Sequence, residues 1–171
     1  MAPENIKVET REWLDRLEIQ DLIHRYSDGV TRADWQQCEA VFTPDATWES
    51  SALGIQCDNR ASFMEILRAT SSYDLLIQTA HSSVITMIDA HHARSTTTIH
   101  EFIRETAAAD NGFDDSGAEN NLEQYGIYYD DLARVDGSWK FTHRVFLPIY
   151  VGRGCVTGDL LTPRSALLRG D

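Results

Sequence analysis

Cysteine is scarce: the chain holds three, Cys38, Cys57 and Cys155, and no pair of them stands at a Cys-x-x-Cys or Cys/His ligand spacing. That excludes a disulfide framework or structural zinc site as the organising device and fits reduced thiols in a cytoplasmic setting. Long apolar runs are also lacking. No stretch approaches the roughly 20 residues that cross a bilayer as a helix, and the first eleven residues are polar, without the basic stretch and apolar run of a secretory leader. Bases are outnumbered, 15 Lys and Arg against 27 Asp and Glu, and the net charge of −12 opposes a phosphate backbone. With no basic stripe carrying interleaved aromatics, nucleic acid is not an expected partner. A glycine-rich phosphate loop and a Gly-x-Ser-x-Gly elbow are absent, which leaves nucleotide cofactors and serine hydrolysis unsupported. The neighbours His91 and His92 fall in a turn without supporting ligands, so no metal and no other cofactor is expected.

What is present suits one domain: 171 residues, 42% of them hydrophobic, can bury an ordinary core. From Glu9 to Arg32, Trp13, Leu14, Leu17, Leu22, Ile23, Tyr26 and Val30 recur at helical spacing. Asp34 can cap a second helix starting at Trp35, and Pro44-Asp45 ends it before a short strand over Ala46 to Ser50. A third helix is predicted over Arg60 to Ser71, capped by Asn59 or Asp58. Thereafter the signal is β, at Thr79 to Ile88, Ala93 to Thr106, Gln124 to Val135 and Ser138 to Tyr150. Asp136-Gly137 marks a tight hairpin, and the small, acidic stretch 107–121 reads as a mobile loop.

Helices first and a meander afterwards predict an α+β domain over residues 1–150, with the N-terminal helices packed in a strongly curved, mostly antiparallel sheet that closes at one end and leaves a pocket at the other. Residues 151–171 form a C-terminal tail able to cover that pocket or reach a neighbouring subunit.

Two groups of residues carry a resemblance. Ile19-Gln20-Asp21-Leu22-Ile23-His24-Arg25-Tyr26, with Arg32-Ala33-Asp34-Trp35 and Phe42-Thr43-Pro44-Asp45-Ala46-Thr47-Trp48, is similar to the opening of SnoaL-like proteins of the NTF2-like superfamily. Tyr128-Tyr129-Asp130-Asp131-Leu132-Ala133-Arg134 and Asp136-Gly137-Ser138-Trp139-Lys140-Phe141 resemble that family's penultimate hairpin. The resemblance implies the superfamily's cone. It also implies kinship with the cofactor-free eliminations of scytalone dehydratase, hexachlorocyclohexane dehydrochlorinase and bile acid dehydratase, in which a strand histidine paired with a helix aspartate removes a proton.

On that resemblance His81 takes the histidine position, while the aspartate position falls on Thr31, which cannot carry the charge that raises imidazole basicity. Asp28, one turn earlier, is an imperfect substitute. Tyr26 corresponds to a tyrosine that polarises a substrate oxygen, and Trp48 to an aromatic pocket wall. Alternation puts His100 and Glu101 on opposite faces and leaves open which enters the pocket; the resemblance favours His100 slightly. Tyr125, Tyr128 and Tyr129 supply one or two interior hydroxyls, and either His143 or Arg144 contacts a polar substrate group. The resulting expectation is a lyase or isomerase acting on a small hydrophobic cyclic or polycyclic molecule, with His81, Tyr26 and His100 catalytic and Thr31, Trp48, Tyr125, Tyr128 and Arg144 binding substrate. The alternative is a non-catalytic binding protein or a partner resembling the β subunit of a ring-hydroxylating dioxygenase. The family also implies a homodimer or homotrimer, and the lack of an apolar spanning run leaves no membrane association expected.

Overall fold

A computed structural model describes residues 3–105, 121–154, 159–162 and 164–167. Cys155 and the predicted loop 107–121, apart from Asn121, lie outside them. The first helix, α1, runs over Pro3–Arg32. Its buried residues Ile19, Leu22, Ile23, Tyr26, Ser27 and Val30 recur every three or four positions and so form one stripe against the sheet. The apolar spacing extends farther toward the N-terminus than burial does: Trp13, Leu14 and Leu17 are 68%, 47% and 59% exposed.

Helix α2 spans Trp35–Ala40, with the Asp34 carboxylate accepting the Gln37 amide at 3.0 Å. Helix α3 spans Arg60–Ala69, capped in the same way by Asn59, whose side-chain oxygen accepts the Ser62 amide. The strands are β1 (Phe42–Ser50), β2 (Ile55–Cys57), β3 (Tyr73–Met87), β4 (His92–Glu105), β5 (Leu122–Val135) and β6 (Ser138–Arg153). Between β5 and β6, Asp136 and Gly137 both take positive φ, 49° and 82°, as a two-residue turn matched to strand twist requires.

The six strands lie in the order β2-β1-β6-β5-β4-β3, and β1 runs parallel to β6 while every other neighbour is antiparallel. This corrects the expected cone. The sheet is mixed and open, with β2 and β3 as unjoined edges, and the helices pack against it instead of being enclosed by its closure. Two local causes keep it open. The β2 edge is only three residues long. The β3 edge is occupied by α1: the Thr31 hydroxyl accepts the Gln78 amide at 3.0 Å and donates to the Gln78 carbonyl at 3.2 Å, and the Arg16 guanidinium donates to the Ile85 carbonyl. An edge whose backbone groups are satisfied by a helix has no need of another strand.

That edge contact yields a prediction. Thr31→Val keeps the shape but strands the Gln78 amide, and should lower unfolding free energy by about 1–3 kcal/mol in urea titration, whereas Thr31→Ser should stay close to wild type. Equal stability of the valine variant would remove the edge-capping role.

Candidate functional site

Between α1 and the sheet lies a chain of buried polar groups. β4 alternates through Ala93, Ser95, Thr97, Ile99 and Glu101 on its inner face, all of them buried. Glu101 accepts hydrogen bonds from the side-chain amides of Gln78 on β3, at 2.6 Å, and of Gln124 on β5. The Gln78 amide also reaches the Tyr128 hydroxyl at 3.2 Å, and the hydroxyls of Tyr128 and Tyr26 hydrogen-bond to each other. Burial pushes the Glu101 carboxyl above its ordinary value, because removal from water penalises the anion more than the two amides favour it. Burial likewise lifts the Tyr26 and Tyr128 phenols, so both stay protonated and able to donate.

Beyond the tyrosines sits Arg144, with no exposed surface. Its guanidinium donates to Asp130 from Nε at 2.6 Å and from Nη2 at 3.1 Å, and Ser95 donates to the same carboxylate at 2.9 Å. The guanidinium carbon lies 4.0–5.5 Å from the ring centroids of Phe141, Tyr128, Tyr26 and Phe42. Burial disfavours this cation, but the Asp130 carboxylate and hydrogen bond hold its pKa above the usual arginine value. One guanidinium nitrogen, Nη1, has no hydrogen-bond partner.

The residues singled out from sequence divide between two faces. Tyr26, Tyr128 and Arg144 come together inside, with Trp48 stacked on Phe63 at 5.2 Å as part of the apolar wall. Thr31 is at the β3 edge and meets the backbone of Gln78, while Asp28 points away into an ion pair with Arg32 at 2.6 Å. His81, His100 and Tyr125 lie on the outer face, contrary to the expected inward projection. The rings of His100 and Tyr125 stack at 4.1 Å, His81 lies 6.0 Å from His100, and His100 bonds Glu123 at 2.8 Å. His143 is also on that face, 2.6 Å from the Thr47 hydroxyl.

The cause is strand alternation, since His81 follows the inward-facing Ala80, and a bulge comes directly after it. Gln78 and Ala80 face inward, the register to β4 shifts between Ala80 and Ser83, and Ser83 then faces inward to meet Thr97 at 3.0 Å. His81 and Ser82 together oppose the single residue Thr98, one residue more than regular pairing holds, and both are exposed. Glu101 is the inner group, against the slight preference for His100; Ile99 and Ile103 on its face are the signal that could have found it, but Phe102 shares the face of His100 and left alternation undecided. Gln78, Gln124 and Asp130 had no such signal.

A cavity of about 580 Å³ lies elsewhere, as an open groove between α1, α2 and the β5–β6 turn, bordered by Glu18, Arg25, Gln37, Trp139 and Lys140. Among the described residues, no group of three or more His, Cys, Asp or Glu is placed to hold a metal ion.

The buried ion pair gives a sharp expectation. Asp130→Ala leaves a desolvated guanidinium unpaired and should cost about 3–5 kcal/mol in chemical denaturation, while the double change with Arg144→Met should recover much of it. Additive losses in the double variant would contradict the coupling.

Solved structures supply the comparison. A candidate scytalone dehydratase from Novosphingobium aromaticivorans superposes with a TM-score of 0.73 at 16% identity, covering 84% of this chain and 90% of its own. A type 2 hexachlorocyclohexane dehydrochlorinase superposes at 0.73 and 15% identity, over 91% and 97% of the two chains. The type 3 enzyme from Novosphingobium barchaimii gives 0.74 and 13%, over 90% and 99%. At such identities the likeness carries the fold and no particular reaction. No curated protein matches the chain by sequence. A family model, the SnoaL-like domain, matches residues 11–145, and the chain therefore belongs to the SnoaL-like family of the NTF2-like superfamily.

Proposed function

We propose that the protein is a cofactor-independent lyase or isomerase acting on a small hydrophobic, cyclic or polycyclic molecule, with Glu101 as its proton-transferring group. The carrying observation is a buried carboxyl with a raised pKa, held by two amides and linked through Gln78 to a pair of protonated tyrosines. Ionised Glu101 takes a proton from a carbon beside a carbonyl or leaving group. The C–H electron pair becomes the new double bond, and the leaving group departs with its own bonding pair. Tyr26 or Tyr128 donates to the oxygen on which charge develops, and the Arg144 cation stabilises it from behind. The sharing of this fold by a dehydrochlorinase supports the reaction class. His81, exposed on the outer face, has no part in this reading.

With a panel of small cyclic substrates carrying halide or hydroxyl leaving groups, Glu101→Gln should lower kcat by about 100-fold or more and His81→Ala should leave it nearly unchanged. Activity should rise with pH through a value above the ordinary carboxylate range, because burial keeps the base protonated below it. The opposite ranking of the two variants would discard Glu101.

Self-association belongs to the same proposal. The outer face exposes Ile77, Val84, Tyr125, Leu147, Ile149 and Tyr150, apolar side chains that a second copy of the chain would cover. Sedimentation velocity at micromolar concentration should therefore give a dimer or trimer, shifted toward monomer by Leu147→Glu with Ile149→Glu. A monomeric wild type would end this part of the reading. A second reading, a non-catalytic binding protein, is supported by the engagement of Thr31 in backbone bonds where the catalytic relatives are expected to hold an aspartate. Failure of every substrate in the panel, together with stable ligand binding, would favour it.

A further inference from the structure

Gln78 on β3, Glu101 on β4 and Gln124 on β5 stand directly opposite one another in the sheet. The two amides that flank the carboxyl are not equivalent. Gln124 is half-buried and gives one N–H to Glu101 Oε2. Gln78 is 5% exposed, and its one NH2 group serves two acceptors, Glu101 Oε1 at 2.6 Å and the Tyr128 oxygen at 3.2 Å. An amide nitrogen carries two hydrogens, so both are committed. The main chain of the same residue is fixed to α1, where the Thr31 hydroxyl accepts from its N–H at 3.0 Å and donates to its carbonyl at 3.2 Å.

These bonds have a direction. Ionised Glu101 can only accept, so an N–H toward it favours the anion, and an amide turned the other way would set oxygen against oxygen. The orientation holds even though it leaves Gln78 Oε1 buried without a partner, a loss that the two N–H bonds outweigh. The Tyr128 oxygen, occupied by the second N–H, must aim its own hydrogen elsewhere, and Tyr26 is its hydrogen-bonding neighbour. One side chain therefore makes the carboxyl an acceptor and the phenol a donor, the two parts that proton abstraction beside a carbonyl requires.

We infer that Gln78 is the positioning residue of this site, holding Glu101 ready to take a proton and leaving the Tyr128 hydroxyl free to donate one. The inference deepens the reading of Glu101 as the proton-transferring group and rests on it for its meaning in turnover. Gln78 itself exchanges no proton and touches no reacting atom. Where the resemblance expects an α1 acid to act on a strand histidine, this chain has Thr31 holding a glutamine and the glutamine holding a carboxyl.

Proton affinity can be read without a substrate. In the full-length protein carrying isotope-labelled glutamate, the Glu101 side-chain carbon is identified by its loss in Glu101→Gln and followed by NMR against pH. The other titratable groups acting on that carboxyl are Tyr26 from α1, Tyr128 from β5 and His100 on the outer face of its own strand, and all three stay in place. Gln78→Met, which keeps the length and loses both donors, should lower the Glu101 ionisation constant about tenfold or more, moving its midpoint upward. Ser83→Ala removes a different inner hydrogen bond of β3, that to Thr97 at 3.0 Å, and should leave the midpoint in place. An unmoved midpoint in Gln78→Met, or an equal shift in Ser83→Ala, overturns the inference. Gln78→Glu, nearly the same shape, serves if the methionine variant loses its fold, because it puts a second carboxyl against Glu101. The two should then share a proton, with one of their midpoints well above that of wild-type Glu101, and two ordinary carboxyl midpoints overturn the inference equally. A displaced midpoint alongside normal turnover in Glu101→Gln would sink the catalytic reading and leave the hold of Gln78 on Glu101 standing, whereas an unmoved midpoint sinks that hold alone.

Discussion

A guanidinium with no contact with water sets the terms for much of this structure. Arg144 stands directly opposite Asp130 across β5 and β6, and opposite Trp48 across β1 and β6. The rings around it come from α1, β1, β5 and β6. A slip of one residue between β5 and β6 would turn Asp130 to the other face and leave the cation in an aromatic cage without its counter-charge. Strand register, the docking of α1 and the seating of the parallel strand β1 are thus tied to one side chain. Its orphan nitrogen, Nη1, is left without a hydrogen-bond partner, as is the indole nitrogen of Trp48.

Much of the scaffold is legible in the sequence because it rests on local chemistry. The stripe from Ile19 to Val30, the Asp34 and Asn59 caps and the Asp136-Gly137 turn each depend on residues within a few positions of one another. Closure of the sheet does not. Whether β3 ends as a free edge depends on Thr31 and Arg16 reaching it from α1, 47 and 69 residues away, and no periodicity records that. The apolar spacing through Trp13, Leu14 and Leu17 is also genuine helix patterning, but it cannot say where the sheet stops and burial with it.

The candidate site shows the same division more sharply. Alternation places Glu101 correctly once Ile99 and Ile103 are taken as marking the inner face, and His100 then falls outside. For His81 the expectation came from the resemblance, whereas alternation from the inward Gln78 and Ala80 puts it outside, and the bulge beyond it reverses parity only for residues counted back from Ser83. A motif match can therefore align a histidine along the chain and miss it in space. What α1 presents at its end is a threonine bound to backbone, and what the sheet presents inside is a carboxyl between two amides. The buried ionisable group on β4 is one residue along from the expected His100, and so on the opposite side of the sheet.

The parallel pairing of β1 with β6 also bears on how the polypeptide acquires its shape as it emerges from a ribosome. Thr47 meets His143, and Phe42 meets Phe141, so a segment made early has its principal neighbour only when nearly all of the chain exists. The short β2 hairpin can shelter one side of β1 in the interval, but the other side stays open until the last long strand folds back through its tight turn. Nascent chains of this protein thus carry an unfilled backbone row for most of their synthesis, a period in which that row is open to pairing with other chains.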